Sequence, residues 1–344
     1  MNELEDLKKV KETVRPVRNV LVLAAGSFLL LLSLLLAVSL GAADMPLKTV
    51  WQAIFQFDPD LQQHQIIREI RFPRILGAAI VGSCFAVSGA LMQGMTRNPL
   101  ADSGLLGLNA GAVFMLACCF AFSPHLSYVY IILFSFLGAA LGAGIVYGIG
   151  SLSKNGLTPI RLVLAGAAVS ALLGALSEGI ALYYEIGQDL AFWYAGGISG
   201  TSWGHLQIIT PWLLLAVIAA VIISRSITLL SLGEEVAVGL GTKTGRIKLT
   251  AALIIVVLAG LAVSVVGAVS FVGLIVPHMV RWLFGYDYRW IIPGTVIYGA
   301  LLVVLADLAA RIISPPHEMP VGALIALLGV PFFLYLARKG GGMV

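Results

Sequence analysis

Charge is scarce in this chain: only 11% of its 344 residues are Asp, Glu, Lys or Arg, where an average soluble domain has about a quarter. That deficit excludes a water-soluble globular fold. A hydrophobic content of 59% and a mean hydropathy of +0.99 point instead to a polytopic membrane protein, whose apolar surface faces lipid rather than one packed core. Cysteine is scarce too. Cys84, Cys118 and Cys119 all lie in apolar runs, which suits small packing residues and excludes a disulfide framework or a thiolate metal site. The 5 histidines are scattered, with no HExxH and no legible cluster of serine, histidine and carboxylate, so no catalytic or metal site is expected. A phosphate loop is also missing: "GLGTKTG" lacks the Gly-x4-Gly-Lys-Ser/Thr spacing that cradles phosphates on backbone N–H groups. No cofactor is expected in this chain, and if ATP drives it, another chain binds the nucleotide. There is no internal repeat and no low-complexity tract. The net charge of +4 carries no nucleic-acid reading, because the basic residues sit beside hydrophobic segments, as membrane orientation requires.

What the chain does have is apolar runs near the spanning length of about 20 residues. They fall at 20–42, 72–93, 104–122, 128–150, 160–183, 206–224, 249–270, 291–313 and 321–338. The first follows a charge-mixed segment, 1–19, and is longer than the core of a signal peptide, so it is expected to be an uncleaved span. A weaker tenth run, Phe271 to Gly285, is interrupted by Pro277, His278 and Arg281. Charge decides its fate. Lys8, Lys9, Lys11, Arg15 and Arg18 precede the first span, while Arg338 and Lys339 close the last, so both termini belong in the cytoplasm. That requires an even number of crossings, hence ten. The expected organisation is a cytoplasmic segment 1–19, one integral domain 20–338 with its longest cytoplasmic loop at 225–248, and a cytoplasmic tail 339–344. The semi-polar stretch "DLAFWYAGGISGTSW" is expected to form a short external or re-entrant helix, since broken backbone at membrane depth must be buried in protein or line a cavity.

This topology leaves few cations outside: Lys48, Arg68, Arg71, Arg74 and Arg311. Four of them are arginines at helix ends, against the general bias. Arginine at a membrane boundary can snorkel or bind lipid phosphate, and Asp307 with Arg311, at i and i+4, can satisfy each other. In the long loop, Leu232, Val236 and Leu240 recur at four-residue spacing between Gly233, Gly239 and Gly241, with Glu234 and Glu235 early, where a helix dipole favours anions. The residues alone allow a small amphipathic helix or an ordinary loop. Many of the 38 glycines, as in "GAAIVGSCFAVSGALMQG" and "GAALGAGIVYGIG", take the small-xxx-small spacing that lets helix backbones approach closely. Glu178 and Glu185 lie toward the outer end of the fifth run, whereas an ion-coupled secondary transporter wants paired ionisable groups at mid-depth.

From about residue 68 onward, "RFPR", "SGALMQGMTRNPLADSGLLGLNAGA", "LAGAAVSALLGA", "LGEEVAVGLG", "GAVSFVGLIVPHMVRWLFGYDYRWIIPGT", "GALLVVLADLAAR" and "HEMPVGALIALLGVPFFLYL" follow in the order and spacing of one family. The chain resembles the FecCD permeases, the membrane subunits of ABC importers for ferric siderophores, haem and vitamin B12. It departs at Asp102-Ser103, where the family usually has proline after the acidic residue, and at Tyr288, where it often has histidine. The resemblance implies an all-α permease of about ten transmembrane helices, similar to the vitamin B12 importer permease. It implies a second permease subunit, two ATPase subunits that bind ATP and Mg, and an extracytoplasmic solute-binding protein or lipoprotein. The cargo implied is a ferric siderophore, with haem or cobalamin as the alternative, and no covalent chemistry is implied. Carried over by motif, Arg71, Arg74 and Arg311 dock the binding protein. Leu232, Gly233, Glu234, Glu235, Val236, Ala237, Gly239, Leu240 and Gly241 form the helix that couples to the ATPase. Asn98, Pro99 and Leu100, in a turn at a cytoplasmic helix end, are the candidate inner gate.

Overall fold

Residues 16–41, 45–151, 159–313, 315 and 317–339 are described by a computed structural model. Most of the expected N-terminal segment, 1–15, and the tail residues 340–344 lie outside the described residues. Every regular element among the described residues is helical. They are α1 Pro16–Ser39, α2 Leu47–Phe55, α3 Gln62–Thr96, α4 Leu108–Phe122, α5 Tyr128–Ser151, α6 Pro159–Tyr183, α7 Gly187–Ala195, α8 Trp203–Ser231, α9 Glu234–Gly239, α10 Thr244–Val266, α11 Val272–Phe284, α12 Tyr288–Ile312 and α13 Val321–Lys339. Seven of these helices (α1, α3, α5, α6, α8, α10 and α12) are long and apolar enough to cross a membrane, and α4, α11 and α13 are shorter apolar helices. Together they correspond to the ten expected runs, the weak one included.

α3 is the axis of the packing. Its apolar and small residues are buried all round, as the central helix of a bundle must be. Glycine makes this possible where backbones touch. A Cβ on Gly89 would be driven into the Gly273 carbonyl of α11, and one on Gly82 into the Gly299 carbonyl of α12. α1, by contrast, buries little: Asn19, Gly26, Ser33 and the last turn face the bundle, while Leu21, Phe28, Leu31 and Leu35 are exposed.

The expected re-entrant stretch is α7 and the loop after it. Leu190 and Trp193 are buried, and the broken backbone is satisfied by other broken backbone, as the membrane interior demands. Gly197 N donates to Val266 O at 3.0 Å, Ala268 N to Trp193 O at 3.3 Å, and Gly322 N to Gly196 O at 3.5 Å.

Several boundaries differ from the expected ones. α1 is already helical at Pro16, the first described residue, ahead of the expected 20. α3 starts ten residues before 72, continuing through a π-helical turn at Ile66–Arg71. α8 runs on to Ser231 because Ile227 and Leu230 keep its buried face going, and α10 begins at Thr244, so the expected loop 225–248 contracts to 232–243. α2 had no counterpart among the expected spans. It is a short amphipathic helix that buries Val50 and Ala53 and exposes Leu47, Trp51 and Phe55.

Candidate functional site

α3 and α12 pack antiparallel, which sets Arg74, early in α3, against Asp307, late in α12. Arg74 Nε and Nη2 both donate to Asp307 Oδ1 at 2.9 Å, and Nη1 donates to Glu318 Oε1 and Oε2 at 2.7 and 2.9 Å. Arg311 lies one turn beyond Asp307, with its Nε 3.1 Å from Asp307 Oδ2. The i, i+4 pairing of Asp307 with Arg311 is therefore present as an ion pair, while Asp307 Oδ2 and Arg311 Nη2 make no hydrogen bond among the described residues. Arg311 Nη1 also donates to Ala37 O and Leu40 O at 3.1 and 3.3 Å. Arg71 Nη1 donates to Val38 O at 2.6 Å and to Ser39 O at 3.1 Å. Two guanidinium groups thus close the C-terminus of α1, where the last carbonyls lack intrahelical donors and the helix dipole is negative.

The cluster is dry for so much charge. Arg71, Arg74, Arg311 and Asp307 are 8%, 7%, 4% and 1% exposed. The side chain of Glu318, on the loop before α13, keeps 38% of its surface open. Three cations face two anions, and the α1 carbonyls supply the rest of the compensation. A cavity of about 200 Å³ opens beside Arg74 and Glu318, against the Gly196–Ser199 loop. Arg68, at the same end, is exposed; its guanidinium sits 4.5 Å from the Phe57 ring centre and its carbonyl accepts from Trp203 Nε1 at 2.9 Å.

The opposite end of α3 is built without such a cluster. Arg97 stops the helix in the left-handed region at φ 52°. Asn98 Oδ1 then accepts from Leu100 N at 3.0 Å, and Ala101 N donates to Asn98 O at 3.1 Å, so Asn98, Pro99 and Leu100 form an Asx turn. Beside this turn lies α9. Gly233, at φ 136°, lets the chain leave α8 and re-enter a helix, and Thr242 closes that helix by donating N–H and hydroxyl to Ala237 O. The expected helical segment is present but shorter, with Gly233 and Leu240 as its caps and Leu232 capping the end of α8. Only Ala237 turns inward; Leu232, Val236, Val238 and Leu240 are exposed, apolar side chains left uncovered among the described residues. Lys248 Nζ donates to Glu234 Oε1 and Oε2 at 2.7 and 2.8 Å. Those bonds hold the Glu234 carboxyl below its usual range; partial burial opposes the shift and the charge of Arg97 adds to it.

The sequence singled out the three arginines and Asp307 but missed Glu318, the second anchor of Arg74. Its only signal was an acidic residue in the proline-rich loop "SPPHEMP", on the side already assigned the outward cations.

A bundle of apolar helices of spanning length, with a charged, buried cluster at one end and an exposed apolar helix face at the other, defines an integral membrane protein. The FecCD transport family model matches residues 29–339, and the chain belongs to that family. Among its relatives, the iron(3+)-hydroxamate import system permease protein FhuB of Bacillus subtilis strain 168 is 49% identical, over 96% of this chain and 86% of that protein. The ferric enterobactin transport system permease protein FepD of Escherichia coli K12 is 38% identical, over 92% and 95%. A solved inward-facing structure of a metal-chelate type ABC transporter superposes with a TM-score of 0.81 at 28% identity, covering 92% of this chain and 99% of that one.

Proposed function

We propose that this chain is the permease subunit of an ATP-driven importer for a ferric siderophore, itself without catalytic chemistry. The family match across nearly the whole chain carries this reading. Relatives named for hydroxamate, enterobactin and citrate iron complexes support the cargo class. The end of α3 that bears Arg71 and Arg74 faces outward and the α9 end faces the cytoplasm with both termini. A second permease chain pairs with this one around the path, and two ATPase subunits bind ATP and Mg.

The exposed face of α9 is the surface offered to an ATPase subunit. Leu232, Val236 and Leu240 would otherwise be left in water, and a helix of this kind lies in a groove of its partner. ATP-driven closure of the ATPase pair then favours one of two permease states by binding it more tightly. The Asn98–Leu100 turn, next to α9, is the part we assign to the inner gate. At the outer end, Arg71, Arg74 and Arg311 receive the carboxylates of the binding protein. Here the burial of the arginines matters. An incoming carboxylate reaches Arg74 only by replacing Glu318, whose half-open side chain makes it the exchangeable partner, whereas Asp307 is sealed in.

Capture of the binding protein by the purified importer tests this. Glu318→Gln removes the competing charge and is expected to tighten capture about threefold to tenfold, the order of one modest charge pair near a surface. Arg74→Ala is expected to weaken it by a larger factor, on the order of 2 kcal/mol or more. Identical capture by the parent and both variants would remove Arg74 from the docking surface.

A further inference from the structure

A cavity of about 500 Å³ lies between α4, α6 and the 267–271 loop, and nothing above uses it. The polar side chains that converge on it are Asp102, Asn109, Ser170, Glu178 and Ser270; among its described lining residues there is no Lys, Arg or His. Ser170, Gly174 and Glu178 recur every fourth residue, so they form one strip of α6 about 12 Å long. A Cβ on Gly174 would meet nothing within 4 Å, so the strip is open along its length. The Glu178 side chain is exposed on a spanning helix, and a carboxylate in that position faces water or a partner rather than lipid. Across the cavity, Asp102 spends one carboxylate oxygen on Ser103, whose N and Oγ lie 2.8 and 3.4 Å away. The cavity therefore presents carboxylates at both the α6 wall and the Asp102 turn, with neutral hydrogen-bonding groups between them. A cleft lined by one sign of charge within low-dielectric walls focuses that field along the path.

We propose that this cavity is an anion-excluding stretch of the translocation path, and that it restricts the cargo to ferric chelates of zero or positive net charge. Three hydroxamates, each a monoanion, neutralise iron(III) and give such a chelate. Three catecholates, each a dianion, leave a trianion that would pass the exposed Glu178 carboxylate without a counter-cation. The inference rests on the importer reading above and deepens it by naming the charge class of the cargo.

The test uses the complete importer in cells. Ser170→Cys, with Cys84, Cys118 and Cys119 replaced by alanine, is labelled by a cationic and by an anionic methanethiosulfonate reagent, each rate being divided by its rate with a free thiol. Ser270→Cys reports the opposite wall if the first variant folds poorly. The normalised cation-to-anion ratio is expected to be about tenfold, falling severalfold when Glu178→Gln is added. The second arm follows radioiron uptake from ferric desferrioxamine B, a cation, and from its neutral N-acetyl and anionic N-succinyl derivatives, which share one iron shell. Uptake is expected to fall in that order, with Glu178→Gln raising the anionic relative to the neutral chelate by roughly threefold to tenfold. A normalised labelling ratio at or below one, or no labelling at either position, overturns the anion-excluding path and leaves the importer reading standing. A ratio above one with no ATP-dependent uptake of any of the three chelates overturns the cargo assignment together with the reading beneath it.

Discussion

The two ends of this bundle handle charge in opposite ways. At the Arg74 end, charge is buried and cross-linked: three guanidinium groups, two carboxylates and the last carbonyls of α1 tie α1, α3, α12 and the loop before α13 into one cluster. At the α9 end, the Glu234–Lys248 pair lies at the surface and an apolar helix face stands open. The difference teaches that a candidate docking site need not look exposed. Buried ions hold their own geometry at a cost in solvation, so they are preorganised for an incoming charge and change little when it arrives. An exposed apolar face works by the reverse logic, since it contributes nothing until a partner covers it.

The contrast predicts where stability resides, and Asp307 is the place to break it. Asp307 is shared by Arg74 and Arg311 and is 1% exposed. Asp307→Ala leaves two buried guanidinium groups short of an anion and is expected to cost about 3–5 kcal/mol. Thermal unfolding in detergent measures this, and a shift no larger than that of an exposed substitution would mean the cluster is hydrated. Next in size is Arg71. Arg71→Met keeps the stem but removes two bonds to the α1 carbonyls, for an expected loss of about 1.5–3 kcal/mol. Hydrogen exchange should show that loss as faster opening of the last turn of α1, with α3 unchanged.

The sequence disclosed these two ends unequally, and the reason is physical. Hydropathy reports on lipid, so the nine strong runs were legible, while the weak run at α11 was counted by the charge at the two termini, and the ten-run pattern matches the helices. Positions where protein meets protein were harder to read. The extension of α3 back to Gln62 and of α8 on to Ser231 comes from packing faces that a hydropathy window does not resolve. Counting charge located Arg71, Arg74 and Arg311, but their burial could not be read this way, because burial here depends on Glu318 and the α1 carbonyls, contributed from distant parts of the chain. The helix at 234–239 was legible as a pattern of Leu232, Val236 and Leu240, while the exposure of that face among the described residues is a fact of tertiary structure. Asp102 and Glu178 lie 76 positions apart in sequence, and only the fold places them on one cavity.

At the α9 end, stability and function are expected to separate. Val236→Asp changes an exposed residue of α9, so unfolding should move by no more than about 0.5 kcal/mol. The same change places a charge in the face we propose for the ATPase, and transport-coupled ATP hydrolysis is expected to be lost. Equal ATPase stimulation by the parent and this variant would mean that α9 is an ordinary surface helix without a coupling role.

The smallest effect belongs to the Glu234–Lys248 pair. Its geometry is good, with 2.7 Å between Nζ and Oε1, yet the side chains are 43% and 23% exposed, so screening and side-chain entropy hold its worth to about 0.5 kcal/mol or less. The sign of its pH dependence is fixed by the depressed Glu234 carboxyl. Its contribution is complete above the ordinary carboxylate range and fades as pH falls through the lower value of the folded state. Lys248→Met should therefore cost little near neutrality, less still at high salt, and nothing at a pH where Glu234 is protonated in both states. Stability measured across that range in parent and variant isolates the pair. A loss approaching that of Asp307→Ala would show that this end, too, is held by charge, and the contrast between the two ends would no longer stand.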